Sequence, residues 1–187
     1  MTLSASFHDL KGKSVFITGG GSGIGEQLVE GFVSQGARVA FVDILDSRAL
    51  CDRLAKTYAN RPLFMSCDIT DTVALRASIA EARAAHGGIE VLVNNAANDT
   101  RHGLDSYGPA EWDASLNINL RPHYFTAQAV APDMKAARAG SIINYSSISY
   151  MMGLGDYPAY VAAKSGINGL TRGLARELGP FNIRVNA

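Results

Sequence analysis

Residues 14–25 read Ser14-Val15-Phe16-Ile17-Thr18-Gly19-Gly20-Gly21-Ser22-Gly23-Ile24-Gly25. A short apolar run rich in β-formers gives way to a cluster of glycines, and an amphipathic pattern begins at once, over roughly residues 23–35. The order is strand, glycine turn, helix. Glycines let the backbone come close to a pyrophosphate, and a helix N-terminus offers free N–H groups and the positive end of its dipole. Gly25 lets the helix pack tightly on the strand. A lone glycine motif is weak evidence, since a flexible turn reads the same way. The strand before it and the helix after it make it a candidate dinucleotide site.

Reading outward, the next apolar run is Arg38–Asp43. Asp43 closes it, eighteen residues after Gly25. A carboxylate there can accept hydrogen bonds from an adenosine ribose and would repel a 2′-phosphate. No Arg or Lys stands in the glycine loop or directly after Asp43. The cofactor expected is therefore NAD rather than NADP, unless Asp43 is simply a solvated strand end. Further runs follow at Pro62–Ser66, Glu90–Asn94, Ser141–Tyr145 and Asn182–Asn186, with helical patterns at 47–59, 71–86, 110–138 and 158–179 between them. Strand–helix alternation of this kind predicts an α/β fold: a Rossmann-type, doubly wound parallel sheet in three layers. Asp68-Ile69 and Asn94-Asn95-Ala96 end the third and fourth strands on the edge that carries the glycine loop, which makes them candidate adenine and ribose walls, although Asp and Asn also favour ordinary turns. One domain over 1–187 is expected. The sequence stops at Ala187, at the end of the sixth run, so the expectation is that the chain lacks the loop, lid and last strand that would follow.

With 47% hydrophobic and 18% charged residues, the chain can bury a sizeable core. Lys+Arg and Asp+Glu both count 17, which gives no net charge to favour nucleic acid or an anionic membrane. Cys51 and Cys67 have no CxxC spacing and no histidine cluster, so neither a metal site nor a disulfide framework is expected, and a reducing, cytoplasmic setting is. Residues 1–13 hold no apolar signal core, and no apolar run reaches about 18 residues, as a membrane span would need.

Tyr160 and Lys164 stand four apart in the last helical pattern and share a face. A phenol with a pKa of about 10 is a poor base. A neighbouring ammonium, joined by a positive nicotinamide ring, would favour the phenolate and let Tyr160 take a proton from an alcohol or give one to a carbonyl. Ser147, thirteen residues earlier and just past the fifth run, can hydrogen-bond the reacting oxygen. Asn119, a polar amide within Leu116-Asn117-Ile118-Asn119-Leu120, needs a partner and can hold a water that feeds protons to Lys164. Ser146 and Asn117 are rivals that spacing does not exclude. His8, His86 and His123 read as surface or helix-end residues, and Trp112 and Tyr124 as core or interface anchors.

Thr18-Gly19-x-x-x-Gly23-Ile24-Gly25, Asn94-Asn95-Ala96, Asn119, Ser147 and Tyr160-x-x-x-Lys164, in this order, resemble the short-chain dehydrogenase/reductase family over essentially the whole chain. The resemblance implies an Asn119–Ser147–Tyr160–Lys164 catalytic set, with Lys164 on the nicotinamide ribose. It further implies that Gly19 and the backbone around Ser22, Gly23, Ile24, Gly25, Asp68, Ile69 and Asn95 line the dinucleotide. Two departures stand out. Ala97 occupies a position where the family has Gly, and the methyl is expected to be tolerated. The family also runs on past the position of Ala187, so these residues alone are expected to show weak or no activity. Residues 93–102 and Ser147-Ile148-Ser149 look closer to NAD-dependent aldose 1-dehydrogenases, those for D-xylose in particular, which implies oxidation of a sugar C1 hydroxyl to a lactone. In that reading Asn98, Asp99, Arg101 and His102 form a polar cluster for sugar hydroxyls, with Ser147 and Tyr160 at the reacting carbon, and Met151, Met152, Asp156 and Tyr157 offer another wall. The resemblance also implies pairing of the two long helices across a two-fold axis, giving a homodimer or homotetramer. The alternatives are a reductase of 3-oxoacyl or other ketone substrates, and a nucleotide-binding subunit without turnover.

Overall fold

The apolar runs form strands because Val, Ile and Phe suit a pleated surface covered on both faces, where alternation with polar residues is not needed. The computed structural model describes residues 5–58 and 60–187. Residue 59, the last of the 47–59 helical pattern, and residues 1–4 of the N-terminal stretch lie outside the described residues. The described residues form six strands: β1 Ser14–Thr18, β2 Arg38–Asp43, β3 Leu63–Ser66, β4 Val91–Asn94, β5 Gly140–Asn144 and β6 Ile183–Asn186. All are parallel, in the order β3-β2-β1-β4-β5-β6. Between them lie α1 Gly23–Ser34, α2 Arg48–Tyr58, α3 Thr72–His86, α4 Pro109–Asn119, α5 Arg121–Ala137, the short α6 Ser149–Met152 and α7 Pro158–Leu178.

Alternate residues of each central strand serve opposite faces. Val15 and Ile17 join Val39, Phe41 and Val93 in one core with Val29, Val33 and Leu54 of α1 and α2. Phe16, Ala40, Val42 and Leu92 face the other, with Leu75 and Ile79 of α3 and Val130 and Met134 of α5. The sheet is thus sandwiched between helices. Winding proceeds outward from β1 in one direction and from β4 in the other, so a crevice opens at their carboxyl ends, where ligands of doubly wound sheets bind.

Two local features differ from the sequence expectation. The pattern at 110–138 is two helices, because Leu120 leaves helical geometry (φ −129°, ψ −52°) just before Arg121-Pro122. Pro122 has no N–H to donate to the Ile118 carbonyl four residues back and its ring crowds that carbonyl, so the helix cannot run through, whereas a proline in a first turn is tolerated and α5 starts there. Asn94 does not line the crevice. It is buried between β4 and β5 in a polar chain: Thr126 Oγ1 donates to Asn94 Oδ1 (2.8 Å), Asn94 Nδ2 to Asn144 Oδ1 (2.9 Å) and Asn144 Nδ2 to Thr171 Oγ1 (2.9 Å). Among the described residues no helix is long and apolar enough to cross a membrane, and no cluster of His, Cys, Asp and Glu is placed to hold a metal ion. Cys51 and Cys67 are free and buried.

Candidate active site

The glycine loop closes the crevice at its β1 end. Gly19 has φ +70°, and a Cβ on it would lie 2.7 Å from the Ala96 Cα. A Cβ on Gly25 would lie 1.7 Å from the Gly19 carbonyl oxygen, so α1 can start against the loop only because that atom is missing. Asn95 holds the loop from the next strand. Its Nδ2 donates to the carbonyls of Thr18 (3.2 Å) and Gly19 (2.9 Å), and its own N–H donates to Thr18 Oγ1 (3.1 Å). No side chain caps the start of α1, which leaves its first-turn N–H groups to a ligand. Asp43 sits at the rim, its Oδ2 accepting from Gly21 N–H (2.8 Å) and its Oδ1 from Leu45 N–H (2.9 Å). The crevice encloses about 580 Å³, with Gly19, Ser22, Gly23, Ile24, Asp43, Ile69 and Asn95 among its walls. Asp68 is turned aside: its Oδ1 accepts from both the N–H and the hydroxyl of Thr70, and its neighbours Cys67 and Ile69 line the crevice. Sequence reasoning overlooked Ile44 and Leu45. Ile24, Ile44 and Leu45 are 64%, 73% and 52% exposed at the mouth, an apolar surface suited to a flat ring. The signal was an apolar pair directly after a strand-ending aspartate. An extended anion with an apolar end fits this cradle, as a dinucleotide would.

The second half of the site is carried by α7 and the segment after β5. Lys164 is 1% exposed, and its Nζ donates to the Tyr145 carbonyl (2.6 Å) while lying 5.5 Å from the Tyr160 ring centre. Burial lowers its pKa to about 8. The Tyr160 phenol shifts opposite to the sequence expectation. Burial pushes it above its ordinary value, a hydrogen bond with Ser147 pulls it down, the nearby Asp99 charge raises it and Arg101 lowers it. In the protein alone, desolvation and the Asp99 charge therefore outweigh the Ser147 bond and the Arg101 cation. The Ser146 hydroxyl faces away from this point, donating to the Lys164 carbonyl (2.8 Å) and accepting from Asn168 Nδ2 (2.8 Å), which leaves Ser147 as the hydroxyl beside Tyr160.

Asn119, fully buried at the end of α4, finds a partner other than the expected water. Its Oδ1 accepts from the Asn98 N–H and its Nδ2 donates to the Asn98 carbonyl, both at 2.9 Å. It pins the loop leaving β4 from below. Its rival Asn117 is exposed. Asn98 turns its own Oδ1 to the N–H and hydroxyl of Thr100. Arg101 lies over the Tyr157 ring (3.8 Å), which stacks on Tyr160 (5.2 Å between centres). His102 is buried, not open to a ligand as the polar-cluster reading expected, because its imidazole is stacked on Tyr107. Met151 and Met152 are exposed on α6.

His123 also departs from its surface reading. It lies buried on α5 with no hydrogen-bond partner for either ring nitrogen, and burial, with the Lys164 charge nearby, lowers its pKa to about 3. An ordinary unfolded histidine takes up its proton near 6.5. Between those values the unfolded chain binds the proton and the native one does not, so stability is lost as pH falls from about 6.5 toward 3. In urea titrations across this window the midpoint of a His123→Leu variant falls less with acid than that of the parent; equal slopes would show that His123 does not contribute.

The short chain dehydrogenase family model matches residues 13–187. A protein named as a probable galactose dehydrogenase of Rhizobium meliloti is 51% identical over 190 residues, covering 100% of this chain and 74% of that one. A D-xylose 1-dehydrogenase of Caulobacter vibrioides is 51% identical over 184 residues, covering 97% and 72%. Among solved structures, one described as a short-chain alcohol dehydrogenase from Sinorhizobium meliloti superimposes with a TM-score of 0.89 at 32% identity, covering 95% of this chain and 71% of the other.

Proposed function

The chain belongs to the short chain dehydrogenase family, nicotinamide-dependent oxidoreductases of CH–OH groups, and on that premise we propose that it oxidises the C1 hydroxyl of an aldose to the lactone with NAD as hydride acceptor. The observation that carries this reading is the grouping of Tyr160 with Ser147 and Lys164, next to Asp99, which itself lines the crevice that the glycine loop closes. The 51% identity to proteins named for galactose and D-xylose supports a sugar.

Ser147 holds the substrate hydroxyl, and Tyr160 removes its proton as the C1–H bond releases its electron pair as hydride. When bound, a nicotinamide would supply the carbon acceptor for this hydride and a positive charge that favours the Tyr160 phenolate. Lys164, within one helical turn of Tyr160, adds a second cation once its ammonium turns from the Tyr145 carbonyl. Its lowered pKa, about 8, lets it exchange a proton near neutral pH. Asn119 acts by fixing Asn98 and the loop over the site. Gly19, Ser22, Gly23, Ile24 and Gly25 would receive the pyrophosphate, Ile69 and Asn95 would line the rest of the dinucleotide path, and Asp43 would take the ribose hydroxyls. Asp68 contributes through the backbone beside Ile69.

The test of the substrate is a panel of D-xylose, D-galactose, aliphatic alcohols and 3-oxoesters with full-length protein, read as nicotinamide absorbance. Turnover of an aldose with NAD is the expected result; turnover of oxoesters alone would replace it with the ketone reductase reading. Asp43 excludes NADP by charge. In Asp43→Ala the preference for NAD over NADP in kcat/KM falls about tenfold or more, the effect of losing a charged hydrogen-bond partner. An unchanged ratio would remove Asp43 from the ribose site. The chain acts as one catalytic domain in the cytoplasm and assembles as a homodimer or homotetramer through the helices of 110–138 and 158–179, that is α4, α5 and α7, with Trp112 and Tyr124 exposed on the first two; light scattering of the purified protein reads the assembly directly.

A further inference from the structure

The loop between β4 and α4 crosses the start of α7 and is tied down at two points. Asn119 holds Asn98. The second tie is His102, bound on three sides. Its main-chain N–H donates to the Asp156 carbonyl at 2.7 Å. Its ring lies 3.5 Å from that of Tyr107, nearly parallel at 6°. Its Nε2 lies 3.3 Å from the Ala159 nitrogen. Nδ1 faces the Thr100 carbonyl at 3.2 Å, so Nδ1 carries the proton and Nε2 presents a lone pair to the Ala159 N–H. Ala159 belongs to the first turn of α7, whose N–H groups have no acceptor within the helix, and no side chain of the N-cap residue supplies one. The imidazole therefore caps, from a separate loop, the helix that carries Tyr160 and Lys164. Asp156, which accepts the main-chain bond, has φ +67°, in the left-handed region that Asp enters more readily than most non-glycine residues.

Between the two ties stand Asp99 and Arg101. Arg101 lies over Tyr157, and Tyr157 stacks on Tyr160; the Asp99 charge reaches the Tyr160 phenol. We propose that His102 is a positioning residue that locks the Asp99–Arg101 segment onto the N-terminus of α7 and so sets a carboxylate acceptor and a guanidinium donor at the height of Tyr160, as the specificity element for a polyhydroxylated substrate. The substrate part of this inference rests on Tyr160 being the base; the lock itself does not.

Two variants separate the contacts. His102→Phe keeps a ring against Tyr107 and loses the acceptor for the Ala159 N–H. His102→Gln supplies an amide oxygen in its place. Hydrogen–deuterium exchange on the full-length protein reads the lock without turnover: the amides at 156–161 exchange faster in the Phe variant and regain protection in the Gln variant. In kinetics with NAD and D-xylose or D-galactose, the Phe variant raises the KM for the sugar about tenfold, the expected scale for one buried hydrogen bond. Its kcat and its KM for NAD change little, and the Gln variant recovers most of the loss. Unchanged exchange in the Phe variant overturns the lock. Faster exchange with an unaltered sugar KM, or a folded Gln variant as impaired as Phe, overturns its role in specificity. Tyr160→Phe is run alongside: if it retains turnover, the assignment of the base fails, and the exchange result still decides the lock.

Discussion

Tyr160→Phe lowers kcat by about 10²–10⁴-fold, the range that a positioned acid–base group contributes, while the dissociation constant for NAD stays within about twofold. The substitution removes one oxygen from a side chain whose ring still packs on Tyr157, so the loss reports proton transfer and not the stack. Because burial raises the phenol in the protein alone, titration of Tyr160 by ultraviolet absorbance gives a pKa above the ordinary tyrosine value without cofactor. Adding NAD moves it down, since a cation then faces the phenolate. A variant that keeps most of its kcat would remove Tyr160 from the chemistry.

The second large effect is at Gly25. A methyl group there meets the Gly19 carbonyl oxygen at 1.7 Å and the Asn95 amide nitrogen at 2.8 Å, so either α1 or the loop must shift. Overpacking of this kind costs ~1–3 kcal/mol, a fall in Tm of roughly 2–12 °C for a protein of this size. Cofactor affinity is expected to fall with it, because the shifted backbone is the cradle proposed for the pyrophosphate. Gly31, on the same helix with open space around its Cα, is the control: Gly31→Ala is stabilising by up to about 1 kcal/mol through helix propensity. A Gly25→Ala protein that melts with the parent and binds NAD equally would show that the loop is not closely packed.

The fold was legible because its signals are local. β-rich runs bounded by glycine, and helical periodicity between them, placed all six strands to within a residue or two. The break at Leu120 was missed although Pro122 stood in view, because the apolar period continues across it. In the site, one helical spacing put Tyr160 and Lys164 on a shared face, but it took the surrounding residues and the family resemblance to single them out, while the glycine loop was legible from its place between strand and helix. What the sequence could not show was tertiary. The direction of the Tyr160 shift depends on burial, which spacing does not encode. Asn119 and His102 were read as facing water or substrate, and each is spent on backbone groups of a distant segment. His123 carries no local mark of burial at all.

The polar chain Thr126–Asn94–Asn144–Thr171 has one more consequence. An all-apolar β4 and β5 could slide past one another by two residues at little cost in oily contact, whereas here such a slip would leave two amides dry and unmatched. The four side chains act as a dowel through the sheet and both helices. They fix how far β4 and β5 project at the crevice, and with it the span between the glycine loop and the Tyr160 phenol.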